Sequence, residues 1–530
     1  MNRRPRPPLN KSQRMPRSTA IGITVSVIVL GLLHGLSFGP TAFWWLQVLS
    51  FAGAVMVMLR WPERAVRTMV WFALACFCAG LSWLFISMNR YGGMPAPMAA
   101  IAVVLLSAYL TVFCALAVWL CRWLISTIDR RPISFAICLA GIWTVMEIIK
   151  GVFLTGFPWL SVGYAHIDGP FSSLAPWIGV YGLGGVAVLV AALLGAIVHA
   201  LIRRPRDHRP IATIIPGALI GVAVVAIIIL ARQPVFATPD GAPISVRLVQ
   251  GNVSQSMKFN RDTALKAIQD YVAMTTEGRA RLTLIPETAW VVPLTMTPQP
   301  VLKQLLSHLN QHNGLFAVGL PTRTANGLTN SVMTIDGNTK PDAVSALNLY
   351  SKRHLVPFGE FVPLGFQWFV DMMHIPLGNF SRGADDQAQL DIDGRQLAFN
   401  ICYEDLFGEE LAVQVRAGAG ILANVSNLAW FGDSHALSQH LNIARMRTLE
   451  LRRPMIRSTN TGVTAHIDAT GEVLARLPAN QQRALDVQVQ PMTGLTPYAR
   501  YGLLLPAALG TLLLVLGSVT CRIGRTASRG

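Results

Sequence analysis

Hydrophobic positions divide the chain into three parts. Seven mostly apolar runs fall before residue 233, at about 20–38, 41–59, 68–88, 98–121, 133–150, 172–202 and 211–231, and an eighth lies at about 502–520. A helix needs roughly 20 such residues to cross the hydrocarbon core, so the pattern predicts eight transmembrane helices. Between the seventh and eighth runs the period shortens. Strand-like runs at Ile244 to Gln250, Leu282 to Ile285, Leu315 to Gly319, Asn330 to Ile335, Ala346 to His354, Gln396 to Cys402, Ile421 to Val425, Met455 to Ser458, Val463 to Asp468 and Glu472 to Ala475 alternate with helical stretches near Arg261 to Arg279, Val301 to His312, Glu409 to Arg416 and His435 to Arg452. That alternation predicts a layered α/β domain. The organisation expected is a membrane domain over 1–232, an α/β domain over 233–501, and a last helix with a basic tail over 502–530.

Composition agrees with a membrane protein: 52% of the 530 residues are hydrophobic, 13% are charged, and mean hydropathy is +0.44. The net charge of +17 does not point to nucleic acid, because the basic residues sit in short clusters between apolar runs rather than on one soluble face. Arg60, Arg64 and Arg67 follow the second run, Arg122, Arg130 and Arg131 the fourth, Arg203, Arg204, Arg206 and Arg209 the sixth, and Arg522, Arg525 and Arg529 the last. By the positive-inside rule the basic N-terminus and these connections are cytoplasmic, which puts the α/β domain on the outer side of the membrane. The run from Ala20 lacks a clear small-residue cleavage site and further runs follow at once, so it is expected to be a retained helix rather than a signal peptide. Glu147 and Lys150 are the ionisable pair that stands out within the runs, and the outward stretch Lys150 to Asp168 is rich in Phe, Trp, Tyr, Gly and Pro. Its aromatics either anchor the protein at the lipid interface or line a lipid entrance.

Candidate chemistry centres on Ala398 to Gly408, AFNICYEDLFG, where a strand runs into Cys402. Of the seven cysteines, Cys402 alone lies outside the apolar segments. An unpaired thiol in an oxidising compartment is a liability unless it is used. A thiol becomes a nucleophile only with a base or cation near it. Two other stretches place suitable groups at strand ends: LIPETAW with Glu287, and YSKRHLVPFGEFVP with Lys352 and Glu360. If these strands share a sheet, Glu287 serves as general base and acid, Lys352 favours the thiolate and steadies an oxyanion, and Cys402 attacks a carbonyl. Glu360 and Glu404 either hold Lys352 in place or are loop charges, and Tyr403 either packs or supports the site. His354, His435 and His440 offer a Cys/His alternative, but His435 and His440 lie on a long polar helix and nothing obvious orients His354. No metal site is expected, since His435 and His440 are five apart, off one helical face.

Taken together, these stretches resemble the nitrilase superfamily, whose members use a Glu, Lys and Cys triad on an αββα sandwich. With the membrane frame, the chain resembles the apolipoprotein N-acyltransferase family, through VQGNVSQSMKF, LIPETAW, NGLTNS, YSKRHLVPFGEFVP, FSRG, ICYEDLF, NVSNLAWFGDSHALSQHL, RRPMIRSTNTG and, outside the domain, TGFPWLSVGY. The resemblance implies a nitrilase-like αββα sandwich inserted in an eight-helix transmembrane bundle of the bacterial inner membrane, with the catalytic domain on the periplasmic side. It implies Glu287 as base, Lys352 as oxyanion stabiliser and Cys402 as nucleophile, supported by Glu360, Tyr403 and Glu404. It also implies a phospholipid acyl donor, usually phosphatidylethanolamine, a diacylglyceryl prolipoprotein N-terminus as acceptor, and no cofactor. Where the family's first loop often has Trp, this sequence has Phe259. The apolar segments Val291 to Met296 and Phe366 to Leu377 are either lids over the pocket or ordinary packing. A membrane-tethered amidase shares the triad, and a transporter with an outer binding domain is the reading from another class.

Overall fold

The computed structural model describes residues 16–39, 43–125, 127–202, 211–232, 235–254, 261–292, 294–325, 327–339, 349–363, 365, 367 and 379–526. Phe259, most of the Phe366 to Leu377 segment and the first part of the strand expected from Ala346 lie outside the described residues.

The membrane part contains helices α1 (Arg17–Leu36), α2 (Trp44–Arg60), α3 (Ala65–Gly80), α4 (Ala96–Leu124), α5 (Pro132–Val152), α6 (Ala175–Ile202) and α7 (Ile211–Ala231). The chain's last helix, α12 (Leu504–Thr526), packs against α5. By length and composition six of these helices can each cross a membrane, whereas α2 and α3 are short and form a pair bent by 118° around Pro62–Arg64. The third expected run does not continue to residue 88 as one helix. It stops at Gly80, and Trp83–Ile86 and a π-helical turn, Ser87–Tyr91, follow. At Gly80 the carbonyl accepts hydrogen bonds from Gln439 and His435 of the α/β domain instead of continuing the helical ladder, and a Cβ there would meet Leu160 of the connection between α5 and α6.

The α/β domain is a sandwich of two six-stranded sheets. One holds β1 (Ile244–Gln250), β2 (Leu282–Leu284), β3 (Leu315–Thr324), β4 (Gly327–Asp336), β5 (Leu349–Ser351) and β12 (Arg483–Val489), in the order β12-β1-β2-β3-β4-β5. The other holds β6 (Leu390–Ile392), β7 (Arg395–Ile401), β8 (Ala419–Ser426), β9 (Met455–Thr459), β10 (Ala465–Ile467) and β11 (Val473–Arg476), in the order β11-β10-β9-β8-β7-β6. Both sheets are mixed: β1, β2 and β3 run parallel, as do β7, β8 and β9, and the outer strands are antiparallel. Val246, Leu248 and Leu284 from the first sheet meet Phe399, Ile401 and Val425 from the second in one core. Helices α8 (Arg261–Thr276) and α9 (Gln299–His312) cover the first sheet, and α10 (Gly408–Arg416) and α11 (Ala436–Leu451) cover the second. This is the expected αββα layering. Strands β6 and β12 escape the sequence pattern because they are edge strands, short or half exposed, with weak alternation.

The polar helix α11 is not a solvent-facing one. It is buried between its sheet and the membrane domain, with Gln439, His440, Arg447 and Glu450 almost wholly enclosed. Its polar groups bond across the junction: Trp159 Nε1 donates to Gln439 Oε1 at 2.7 Å, and the Val180 N–H donates to Glu450 Oε1 at 2.6 Å. Polarity on this helix therefore marks an interface between the two parts of the chain.

Within the bundle, Lys150 Nζ lies 3.0 Å from Glu147 Oε1 and over the Phe77 ring, with both charged side chains enclosed. Replacing one partner leaves the other charge unpaired in a dry setting. Lys150→Met is expected to destabilise the protein by about 3 kcal/mol, lowering the melting temperature of the detergent-solubilised chain, and the double change Glu147→Met, Lys150→Met to recover most of that loss. A thermal melt that does not separate the single from the double variant would show that the pair contributes nothing.

Candidate active site

Three strands deliver the three groups. Glu287 follows the C-terminal end of β2, Lys352 follows β5, and Cys402 follows β7 in the facing sheet. Glu287 reaches its place because Gly319 on β3 allows the chain to pass: a Cβ at Gly319 would lie 2.5 Å from the Pro286 carbonyl oxygen and 2.6 Å from Glu287 Cα. The Lys352 backbone is fixed from both sides, its N–H donating to the Asn330 carbonyl at 2.8 Å and its carbonyl accepting from Gly383 N–H at 2.8 Å.

The Lys352 ammonium is 1% exposed and sits between two carboxylates, 2.9 Å from Glu360 Oε2 and 3.5 Å from Glu287 Oε1. Burial alone would lower its pKa, but Glu360 and Glu287 outweigh burial and hold it above the ordinary lysine value, so it stays charged. Two carboxylates around one ammonium leave negative charge over. Asn330 answers that excess by donating from Nδ2 to Glu287 Oε1 and Glu360 Oε1, each at 2.7 Å. The second Glu287 oxygen accepts from the Asn427 N–H at 2.8 Å, and Val356 N–H binds Glu360 Oε2 at 2.9 Å.

Cys402 opens a short 3₁₀ turn, Cys402–Leu406, with φ of +52°, a left-handed conformation that an L side chain resists by roughly 1–2 kcal/mol. Glu404 holds the turn. Its carboxylate accepts from the Ile401 N–H at 2.6 Å, from Arg353 N–H at 2.6 Å, from His354 N–H at 3.2 Å and from the Tyr350 hydroxyl at 3.0 Å, tying the Cys402 turn to the Lys352 segment. Burial raises Glu404 to about 7, against the Lys352 charge and then the backbone donors. Burial and then the charge of Glu287 also push the Cys402 thiol well above its ordinary value, with Lys352 pulling the other way. The resting group is a thiol.

Of the six residues expected from the sequence, Glu287, Lys352 and Glu360 meet directly. Glu404 is a structural carboxylate that binds backbone around the site rather than Lys352. Tyr403 does more than pack: its hydroxyl donates to the Gly156 carbonyl of the connection between α5 and α6 at 3.0 Å. Sequence reasoning assigned no role to Asn330, although it lies in the NGLTNS stretch. The histidines of the Cys/His alternative are otherwise engaged. His354 faces Glu410 and the Thr155 carbonyl, His435 the Gly80 carbonyl, and His440 is buried behind the Cys402–Leu406 turn. Among the described residues, no group of three His, Cys, Asp or Glu side chains is arranged to hold a metal ion.

Two expectations follow. Because the resting thiol is protonated, alkylation of Cys402 by iodoacetamide, read at its peptide by mass spectrometry, should climb about tenfold per pH unit from 7 to 9 without a plateau. A plateau near neutrality would mean a preformed thiolate. Asn330→Ala removes two charge-assisted hydrogen bonds and should lower the acylation rate of Cys402 about 100-fold, measured in a single turnover, while leaving the protein folded by circular dichroism.

Comparison with known proteins accounts for both parts of the chain. The profile of the apolipoprotein N-acyltransferase N-terminal domain matches residues 30–193, and that of carbon-nitrogen hydrolases matches residues 245–498. An apolipoprotein N-acyltransferase of Ralstonia nicotianae is 42% identical over 502 residues, covering 93% of this chain and 92% of the relative. One of Bordetella bronchiseptica is 42% identical over 528 residues, covering 93% and 96%. Among solved structures, an amidase from Nesterenkonia sp. is 18% identical, covers 47% of this chain and 92% of its own, and has a TM-score of 0.34. Identity of this extent along nearly the whole of both chains, spanning membrane helices and sandwich alike, leaves one conclusion: the chain belongs to the apolipoprotein N-acyltransferase family.

Proposed function

We propose that this acyltransferase takes a fatty acyl chain from a phospholipid, with phosphatidylethanolamine as the usual donor, and passes it through a Cys402 thioester to the α-amine of an S-diacylglyceryl cysteine at a lipoprotein N-terminus. The observation that carries the reading is the Glu287–Lys352–Glu360 cluster, with Cys402 entering from the facing sheet. Lys352, held charged, cannot accept a proton, which leaves Glu287 as the base. Glu287 takes the thiol proton as sulfur attacks the ester carbonyl, and the oxyanion of the tetrahedral intermediate is stabilised by the Lys352 ammonium. The ester C–O bond then breaks, Glu287 returns its proton to the departing alkoxide, and a lysophospholipid leaves. In the second half the neutral amine attacks the thioester, Glu287 takes the amine proton, and the thiol is regenerated as the amide forms.

Membrane placement fits this chemistry, since donor and acceptor both carry chains embedded in the bilayer. The alternation of basic connections supports a catalytic domain on the periplasmic side of the inner membrane. The domain limits we adopt are 1–232, 233–501 and 502–530, and Glu360, Tyr403 and Glu404 are supporting rather than reacting groups. The competing reading, an amidase releasing the acyl group to water, uses the same triad. What favours aminolysis is the tie between the site and the outward connection through Tyr403 and Gly156.

Purified protein incubated with phosphatidylethanolamine should gain one acyl-sized mass that hydroxylamine removes, and Cys402→Ser should gain none of it. Adding a diacylglyceryl peptide should then move the mass to the peptide. Glu287→Gln should slow acylation about 10³-fold. An intact, folded enzyme that forms no adduct would rule out a phospholipid donor, and an adduct that decays to free fatty acid without peptide acylation would establish the amidase.

A further inference from the structure

Behind the nucleophile lies a second polar cluster that the acyl-transfer steps do not use. Asp405, His440 and Arg457 are 0–1% exposed. Asp405 belongs to the same short turn as Cys402, Arg457 lies on β9, and His440 lies on α11. Arg457 Nη1 donates to Asp405 Oδ2 at 3.2 Å and to the His440 carbonyl at 3.3 Å, and its Nη2 donates to His440 Nδ1. A guanidinium can only donate, so Nδ1 must be the accepting nitrogen and the ring proton sits on Nε2. Nε2 faces Asp405 Oδ1 at 3.3 Å, and Asp405 ties the ring to the short turn that Cys402 opens. Burial and the Arg457 charge keep the ring neutral, holding it well below the ordinary histidine value. One tautomer and one orientation are therefore imposed.

The exposed side of this arrangement is closed by the membrane part of the chain. Trp159, in the outward connection, stacks on the His440 ring with centroids 5.7 Å apart and planes at 29°. Its Nε1–H is fixed on Gln439, whose amide donates to the Gly80 carbonyl at the end of α3. The Cys402 backbone, in its left-handed conformation, needs such holds. Asn424 supplies one, donating to the Cys402 carbonyl at 3.3 Å. We propose that His440 is a positioning residue for the nucleophile, kept in one tautomer by Arg457 and seated by Trp159, so that Cys402 is aligned for attack when the outward connection is docked. The membrane domain on this view does more than gather lipids: it sets the geometry of the thiol.

The inference rests on Cys402 being the nucleophile, and its test avoids the phospholipid. Full-length enzyme in detergent is acylated in a single turnover by p-nitrophenyl palmitate, read as p-nitrophenolate release, so a failure of the donor assignment leaves this readout intact. His440→Leu should lower the maximal acylation rate about 30-fold, with the half-saturating ester concentration unchanged within about 2-fold, because misplaced sulfur affects the bound step rather than binding. His440→Gln, which keeps an N–H near the Nε2 position, should recover to within about 5-fold of wild type. Trp159→Leu should cost about 10-fold and Trp159→Phe about 2-fold, and the Trp159→Leu, His440→Leu double variant should be no slower than His440→Leu, since the two act on one alignment. Multiplying losses in the double variant, a Gln variant no better than Leu, or a His440→Leu rate within 2-fold of wild type would each overturn the proposal. If His440→Leu does not fold, the Trp159 pair decides: equal rates for Trp159→Leu and wild type would overturn it.

Discussion

A charged ammonium enclosed in protein is the constraint from which the rest of the site follows. An isolated buried ion costs several kcal/mol, so Lys352 must be paired. Pairing it with one carboxylate would make an inert salt bridge. Pairing it with two, Glu287 and Glu360, sets like charges side by side, a repulsion that Asn330 relieves by donating to both. Glu287, Asn330 and Lys352 come from β2, β4 and β5 or their ends and Glu360 from a turn beyond β5, and the sheet order β2-β3-β4-β5 brings them together. Gly319 on β3 is part of the same requirement, because any side chain there would displace Glu287.

The second constraint is the join between sandwich and membrane helices. Part of it is made of backbone carbonyls from the membrane part accepting hydrogen bonds from side chains of the sandwich. Gly80 accepts from His435 and Gln439, Thr155 from His354, and Gly156 from Tyr403. Leu154, Thr155 and Gly156 all have positive φ, which points those carbonyls toward the domain at a cost in backbone strain. Strained backbone is kept where the surroundings over-determine it, and here the surroundings are residues flanking Lys352 and Cys402.

Much of this was legible in the sequence, for identifiable reasons. The αββα layering showed because the central strands are buried on both faces and read as strong apolar runs, and Glu287, Lys352 and Cys402 showed because reactive groups stood at the ends of such runs. Glu360 read ambiguously as ally or loop charge because its contact with Lys352 depends on a turn, Val356 to Phe361, whose shape no periodicity encodes. Asn330 was hidden inside a strand as an ordinary polar residue, and only the convergence of two carboxylates gives it meaning. The burial of α11 was opaque as well, since a helix rich in His, Gln, Arg and Glu has the composition of a solvated one. Its partners are carbonyls and indoles distant in sequence. The break after Gly80 was missed for the same reason: hydropathy counts apolar residues and does not see a carbonyl claimed by another domain.

The protonation state of the resting thiol connects these constraints to where the enzyme works. Thiolates, not thiols, are the oxidisable and readily alkylated form. On the topology proposed above, the sandwich faces an oxidising compartment, where a cysteine poised as a thiolate would be lost between turnovers. Burial and the neighbouring Glu287 charge keep Cys402 as a thiol. In the mechanism proposed above, the same carboxylate that raises the thiol's pKa is the group that removes its proton, so the nucleophile would form only as the carbonyl arrives to take up the electron pair and Lys352 receives the charge.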